Sequence, residues 1–499
     1  MQFRKSNFGL PFSKIDFFGS KLKLFEISSE NNLKPLLSLL KKSVFICGYL
    51  RLISFFATLS FAQIAIDPVV KKVEPKQIMP EVNLTVGRYL DLQNGTTSVD
   101  AVRIALSNNG EILALREELK ASESLIKQAG LRPNPNLQIS GSQEGIIGNR
   151  YSGGVSVSLP LELGGRRAAR TDVAQKEYEF RRAVLADSER KLAAEVRMKF
   201  AEALAKIEKL RFLEELLANV EQGYKLISAK VSEGSNAPLE QNMSLVELNR
   251  IRSMRETAVA DTEIKLLELG NEMGLEPTEI LRLKGDFSNL LDDIPLIETA
   301  TEQALETRPD LESLRLNIDF NRARLAQAQT ESRLDAGVSV GYQRMTRIQP
   351  FVVNQNPVEL EPQRIGENFI TFGIDLMIPV RNKNQGNIEA ASFEISAAEK
   401  RSEFGRLTVR REVSAAYKRF EYAVRALTVY RTGVRNQARE NLQVVWQTYE
   451  FGEKDLVDYI AEERRYFEIE NNLIDAELAV YLAKIEIYKV INAPELIGN

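Results

Sequence analysis

Gly154-Val155-Ser156-Val157-Ser158-Leu159-Pro160-Leu161-Glu162-Leu163-Gly164-Gly165-Arg166-Arg167 is the stretch that decides the fold. Up to Leu163 the apolar residues fall on one parity, Val155, Val157, Leu159, Leu161 and Leu163. Gly154, Ser156, Ser158 and Glu162 fall on the other, the period of a half-buried strand. After Gly164-Gly165 the period changes. Leu210, Leu213, Leu217, Val220, Tyr224 and Ile227 are spaced by three and four, a helical heptad. The junction recurs. Ile370, Phe372, Ile374, Leu376 and Ile378 alternate with Thr371, Gly373 and Asp375, and after Asn384-Gln385-Gly386 the spacing becomes Val413, Tyr417, Phe420, Val424, Leu427. A strand that runs into a very long helix, twice in one chain, governs the rest of the reading.

Worked outward, the duplication covers most of the 499 residues, with a period of roughly 200–220 residues. The first repeat spans 96–275. It holds a helix from Ser98 to about Ala129, strands at 136–143 and 154–163, and a helix from Arg166 to about Val231. At about 1.5 Å per residue that helix is on the order of 95 Å long, so it must pack laterally along its whole span. Glu233 to Pro238 is a turn, and a returning helix runs from Leu239 to Met273 with Gly274 as its cap. Residues 276–296 are a connector. The second repeat spans 297–492: a helix from Ile297 to Leu334, strands at 336–344 and 368–379, and a second hairpin with its tip near 452. Thr346 to Gly366, with Pro350, Pro357 and Pro362, reads as a long loop. Residues 493–499 are a tail, and 63–95 read as irregular.

The N-terminus reads as a secretory leader. Lys41-Lys42 precede a mostly apolar stretch that ends Ser60-Phe61-Ala62, so residues 1–62 are expected to be removed. A retained anchor and lipidation at Cys47 are the alternatives. Of the 66 basic and 69 acidic residues, nine and three lie in 1–62, which leaves a net charge of −9 for the remainder. That balance argues against nucleic acid as a partner. Cys47 is the only cysteine and there is no histidine. A soft-metal site and His- or Cys-based catalysis are therefore not expected. No Walker or dinucleotide motif occurs. No catalytic residue, cofactor or metal site is expected.

Beyond Ala62 there is no apolar run of about 18 residues, so membrane crossing would require a closed β-barrel. Four strands cannot close, because the smallest membrane barrels have about eight. Strands pooled from three chains would close a barrel with an open lumen, above a tube of helices.

The features that carry a family resemblance are Ser98-Val99-Asp100-Ala101 through Ala105-Leu106, and Leu159-Pro160-Leu161-Glu162-Leu163-Gly164-Gly165-Arg166. With them stand Ile378-Pro379-Val380-Arg381-Asn382-Lys383-Asn384-Gln385-Gly386 and Tyr449-Glu450-Phe451-Gly452. In this order, twice, they resemble the TolC family of outer-membrane efflux proteins across 96–492. The resemblance implies a mostly α protein with a membrane β-barrel: a homotrimer with a twelve-stranded barrel in outer-membrane lipid and a periplasmic α-helical barrel. It also implies a passive exit duct docked to a periplasmic adaptor and an inner-membrane pump, of resistance-nodulation-division or ABC type. The junction sequences look similar to the heavy-metal resistance-nodulation-division branch; drug efflux and type I secretion stay open.

In the family, acidic, tyrosine and basic residues at the hairpin tips close the periplasmic end. Counting from the tip glycines, Gly234 and Gly452, places those roles on Glu240, Asp458, Tyr449 and Lys454. Tyrosine–acid and lysine–carbonyl contacts would form the latch. Without the resemblance, these are solvated turn residues. Gly164, Gly165 and Gly386 are expected to let the chain swing from strand to helix without a Cβ clash, with Pro160 and Pro379 redirecting it. Trp446 reads as core or adaptor contact. A periplasmic adaptor is the competing function, although one would carry a single hairpin. A secreted coiled-coil protein would leave apolar strand edges in water.

Overall fold

The computed structural model describes residues 85–144, 150–278, 281–287, 294–355 and 357–498. The expected leader 1–62, Cys47 and most of the irregular segment 63–95 lie outside the described residues.

Four strands form one antiparallel sheet in chain order: β1 (Asn136–Gln143), β2 (Arg150–Pro160), β3 (Asp335–Gln355) and β4 (Val358–Met377). The register aligns apolar residues across all four strands. Ile139 faces Val155, which faces Tyr342, which faces Ile370. Leu137, Val157, Val340 and Phe372 form the next row. These side chains are exposed, Phe372 by 82%. The opposite face carries small polar rows, such as Gln138, Ser156, Gly341 and Thr371. Gly341 keeps that face shallow, since a Cβ there would lie 2.7 Å from Thr371 Oγ1. An apolar face turned outward and a polar face turned inward invert the logic of a soluble sheet and fit a lipid-facing barrel wall. Among the described residues, the outer edges of β1 and β4 have no partner within the chain.

Two expectations about the sheet are corrected. Thr346 to Gly366 is not a loop, because β3 and β4 stay paired from Thr346↔Gly366 to Gln355↔Val358. The prolines that suggested a loop, Pro350 and Pro362, face each other in this ribbon. Beyond Arg347 no β2 residue lies beside β3, and a strand tolerates proline where its missing N–H has no neighbour to meet. In addition, β2 ends at Pro160 rather than 163, and β4 ends at Met377 rather than 379.

Each expected opening helix is two helices. In the first repeat α1 (Ser98–Asn108) and α2 (Gly110–Gly130) are separated by Asn109, whose backbone is extended and whose side-chain Oδ1 caps α2 by accepting from the N–H groups of Glu111 and Ile112. In the second, α5 (Ile297–Thr307) and α6 (Pro309–Glu331) meet at Arg308, which Pro309 holds out of the helical region. The long hairpins are α3 (Arg166–Ser232) with α4 (Pro238–Glu272), and α7 (Gln385–Val429) with α8 (Arg435–Glu450) returning as α9 (Leu456–Ile491). A π-turn at Tyr430–Val434 joins α7 to α8. At 67 residues, α3 is about 100 Å long.

The main core lies where α3 is surrounded. Ala193, Ala194, Val196, Ala201, Ala203, Leu204, Ala205, Ile207 and Leu210 are all buried, over more than half of the circumference of the helix. Small residues let α1, α2, α4 and α9 approach it together. The two repeats tie their breaks to the ends of the returning helices. Asn109 Nδ2 donates to the Glu272 carbonyl (3.1 Å), and Arg308 Nη1 donates to the Val490 carbonyl (3.3 Å). Both returning helices end in a left-handed residue, at Gly274 and Asn492.

Candidate functional site at the hairpin tips

The two tips are the same turn built twice. In the first, the Gly234 N–H donates to the Val231 carbonyl (3.0 Å) and the Ser235 N–H to the Lys230 carbonyl (2.9 Å). In the second, the Gly452 N–H donates to Tyr449 (2.9 Å) and the Glu453 N–H to Thr448 (3.0 Å). Gly234 and Gly452 have φ of +79° and +77°, and the pattern is the helix-ending motif that glycine permits.

The two tips meet through residues at different offsets from their glycines. The Tyr449 hydroxyl, on α8, donates to Glu240 Oε2, on α4, at 2.9 Å. Asn236 Nδ2 donates to the same oxygen at 2.7 Å and to the Tyr449 hydroxyl at 3.3 Å. Burial, then the hydrogen bond and charge of Glu240, push the Tyr449 phenol up to about 12, so it remains a donor at neutral pH. The tyrosine–acid contact therefore joins the two hairpins of one chain.

The basic residue behaves differently. Lys454 Nζ meets Asp458 Oδ2 at 3.3 Å, one turn along the same hairpin, and both are about half exposed. Within one chain Lys454 pairs with its own turn's carboxylate, and among the contacts of the described residues neither it nor Asp458 reaches the first hairpin.

Trp446 stacks into this site. Its ring centroid lies 5.8 Å from Tyr449 and 4.8 Å from Tyr459 on α9, and those two tyrosines stack at 6.5 Å. Above the aromatic group lies a charged layer that sequence reasoning missed. Glu247 on α4, 3% exposed, accepts from Arg250 and from Arg464 Nη2 at 2.5 Å. Glu463 on α9, 5% exposed, accepts from the Tyr459 hydroxyl at 3.2 Å. A signal was present: Leu456, Tyr459, Glu463, Tyr466, Glu470 and Leu473 are spaced by three and four, so two carboxylates occupy an apolar stripe.

At the first strand–helix junction Glu162, Gly164 and Gly165 all have positive φ, of 50°, 73° and 83°. Arg170 holds Glu162 at 2.6 Å, and Arg166 reaches Asp335 at 3.1 Å. A Cβ on Gly164 would lie 3.1 Å from Arg333 Cβ, whereas at Gly165 it would meet nothing. Gly165 is thus required by its backbone angle alone. Pro160 closes β2 opposite Gly337. Pro379 lies two residues past the end of β4. At the second junction the expected role of Gly386 is corrected. It lies inside the first turn of α7 with open space around it, and the left-handed residue is Asn384, with φ +58°. Asn384 Nδ2 donates to the Ala328 carbonyl (2.9 Å) and to Glu331 (3.1 Å), which stabilises an angle that normally favours glycine.

A family model described as outer membrane efflux protein matches residues 101–254 and 300–493. The chain belongs to that family. This efflux protein is thus an outer-membrane channel with a large periplasmic portion, a transport component rather than an enzyme. It is similar to the cobalt-zinc-cadmium resistance protein CzcC of Cupriavidus metallidurans, 22% identical over 74% of this chain and 83% of that protein. Its fold is shared with solved channels. CusC superposes with a TM-score of 0.66 at 16% identity, covering 82% of this chain and 96% of CusC. The open-state MtrE outer membrane channel of Neisseria gonorrhoeae superposes with a TM-score of 0.63 at 16% identity, covering 79% and 88%.

Proposed function

We propose that this efflux protein is a passive homotrimeric exit duct. It would be closed at its periplasmic end by the hairpin tips and supplied by a periplasmic adaptor and an inner-membrane pump of the resistance-nodulation-division type that exports divalent heavy-metal ions. The observation that carries the duct is the sheet. Its register-aligned apolar face is fit for lipid, its opposite face is small and polar, and among the described residues both edges are unpaired within one chain. In lipid those edges require neighbours, and three copies supply twelve strands without a free edge.

The gate reading rests on the Tyr449–Glu240 contact. It ties the second hairpin to the first within a protomer, so releasing it frees one hairpin to swing while the other stays. Asp458 and Lys454 are exposed charges of the same tip, placed to meet a neighbouring copy or the permeating ion. Support for the metal cargo comes from the similar proteins, named for cobalt-zinc-cadmium and nickel-cobalt-cadmium resistance.

The test is complementation. A strain lacking its own exit ducts receives this protein with a cobalt-zinc-cadmium pump and adaptor, and growth is scored against each metal and against a panel of drugs. Restored metal resistance supports the reading. Drug resistance or protein secretion restored in its place, with cognate pumps, would retain the duct and overturn the cargo.

A further inference from the structure

Two buried carboxylates lie next to each other behind the latch and have opposite fates. Burial opposes the charge on Glu247, but the hydrogen bonds of Arg250 and Arg464 outweigh it and hold this carboxylate below the usual range. Glu463 has no guanidinium hydrogen-bonded to it among the described contacts. Burial pushes its carboxyl up to about 7; Tyr459's hydrogen bond and the charges of Arg250 and Arg464 oppose that rise, and Glu247's charge adds to it. Those are the groups that face it: Tyr459 and Arg464 on its own helix, Glu247 and Arg250 from α4. From α8 come Trp446 and Tyr449, which reach it through the Tyr459 ring.

We propose that Glu463 is a positioning residue for the tip latch: its protonation state, passed on by Tyr459 and Trp446, sets how firmly Tyr449 is held against Glu240, and so makes closure respond to periplasmic pH. This deepens the tip-gate reading and rests on it. The route is short. The Tyr459 hydroxyl contacts Glu463, and its ring contacts both aromatic residues that carry the latch. A charged Glu463 also repels Glu247 across the α4–α9 contact that the closed tip requires.

The sign follows from linkage. In the closed tip the Glu463 carboxyl is raised above its ordinary value, and in an opened, hydrated tip it returns to that value. The closed state therefore binds the proton more tightly. Acid favours closure, and that advantage is lost as pH rises toward about 7. Between the ordinary carboxylate range and about 7, opening is expected to rise by up to about tenfold per pH unit for each protomer.

The experiment records channel opening of the full-length protein in planar bilayers from pH 5 to 8, for wild type, Glu463→Gln, Tyr459→Phe and Tyr449→Phe. Wild type should open as pH rises and level off above about 7. Glu463→Gln should stay at the acid level throughout. Tyr459→Phe removes a hydrogen bond that favours the ionised form, so its midpoint should move to higher pH, a change that loss of packing alone would not produce. Tyr449→Phe should be more open at every pH. If Glu463→Gln keeps the wild-type profile while Tyr449→Phe opens the channel, the proton-sensing proposal fails and the latch stands. If Tyr449→Phe matches wild type, the latch reading fails and this proposal fails with it.

Discussion

At the scale of single residues, the proposed closed tip depends on one oxygen. Glu240 Oε2 accepts from both the Tyr449 hydroxyl and Asn236 Nδ2, so removing the carboxylate breaks both bonds and leaves Asn236 only its longer contact to the Tyr449 hydroxyl. A hydrogen bond to a charged group contributes about 1.5–3 kcal/mol, so Glu240→Ala should raise the opening equilibrium of each protomer by roughly 10- to 100-fold. Asp458→Ala should change ion selectivity rather than opening, because its lysine partner is exposed on the same turn. Backbone angle gives a second contrast. Gly452→Ala should cost about 1 kcal/mol at φ +77°, seen as faster amide exchange at the second tip. Gly386→Ala should be neutral or slightly stabilising, because that position is ordinary helix in open space. Glu240 and Tyr449 are reached by counting from the tip glycines along the pattern that the family resemblance implies, not from the residues alone. Asn236 and Glu463 are not reached that way, because their roles depend on which face of a neighbouring helix they meet.

At the scale of elements, the helix breaks and the strand ribbon show where periodicity stops being informative. The apolar residues on either side, Ala105 and Ile112, keep a helical separation across Asn109, yet Asn109 caps a new helix and fastens it to the end of α4. Arg308 performs the equivalent task by ion pairing, with Asp310 at 2.6 Å and Glu412 at 2.7 Å, while itself 4% exposed. Because it is buried, Arg308→Ala should destabilise the second repeat by about 3 kcal/mol or more, measured by denaturant unfolding. Burial opposes the charge on Asp310, but Arg308 outweighs it and depresses the carboxyl. A depressed carboxylate contributes stability that is present above its ordinary range and lost as pH falls through the folded value. Wild type should therefore weaken in acid more than Arg308→Ala does. Strands were legible where apolar and polar residues alternate, as at Val155 to Leu159, but the alternation of apolar residues continues past the observed end at Pro160. They were not legible from Thr346 to Gly366, where prolines and charges occupy a ribbon with few neighbours to demand an alternating pattern.

At the scale of the whole molecule, the duplication was legible because each repeat must switch period at the same kind of junction, and the family match spans both repeats. The lipid-facing band makes a direct prediction. Phe372 is 82% exposed in the middle of that band, so Phe372→Arg should cost about 2–4 kcal/mol of membrane stability and reduce assembly into the outer membrane, with the helical hairpins still folded by circular dichroism. What one chain does not display is the neighbour that covers its sheet edges, and the duct stands or falls with that assembly. Single-channel recording in a planar bilayer, wild type beside Glu240→Ala, is the most direct test. Wild type should show a small conductance that rises several-fold in the variant. Folded protein from outer membranes that forms no channel would contradict the duct itself, and a channel indifferent to the substitution would contradict its gate.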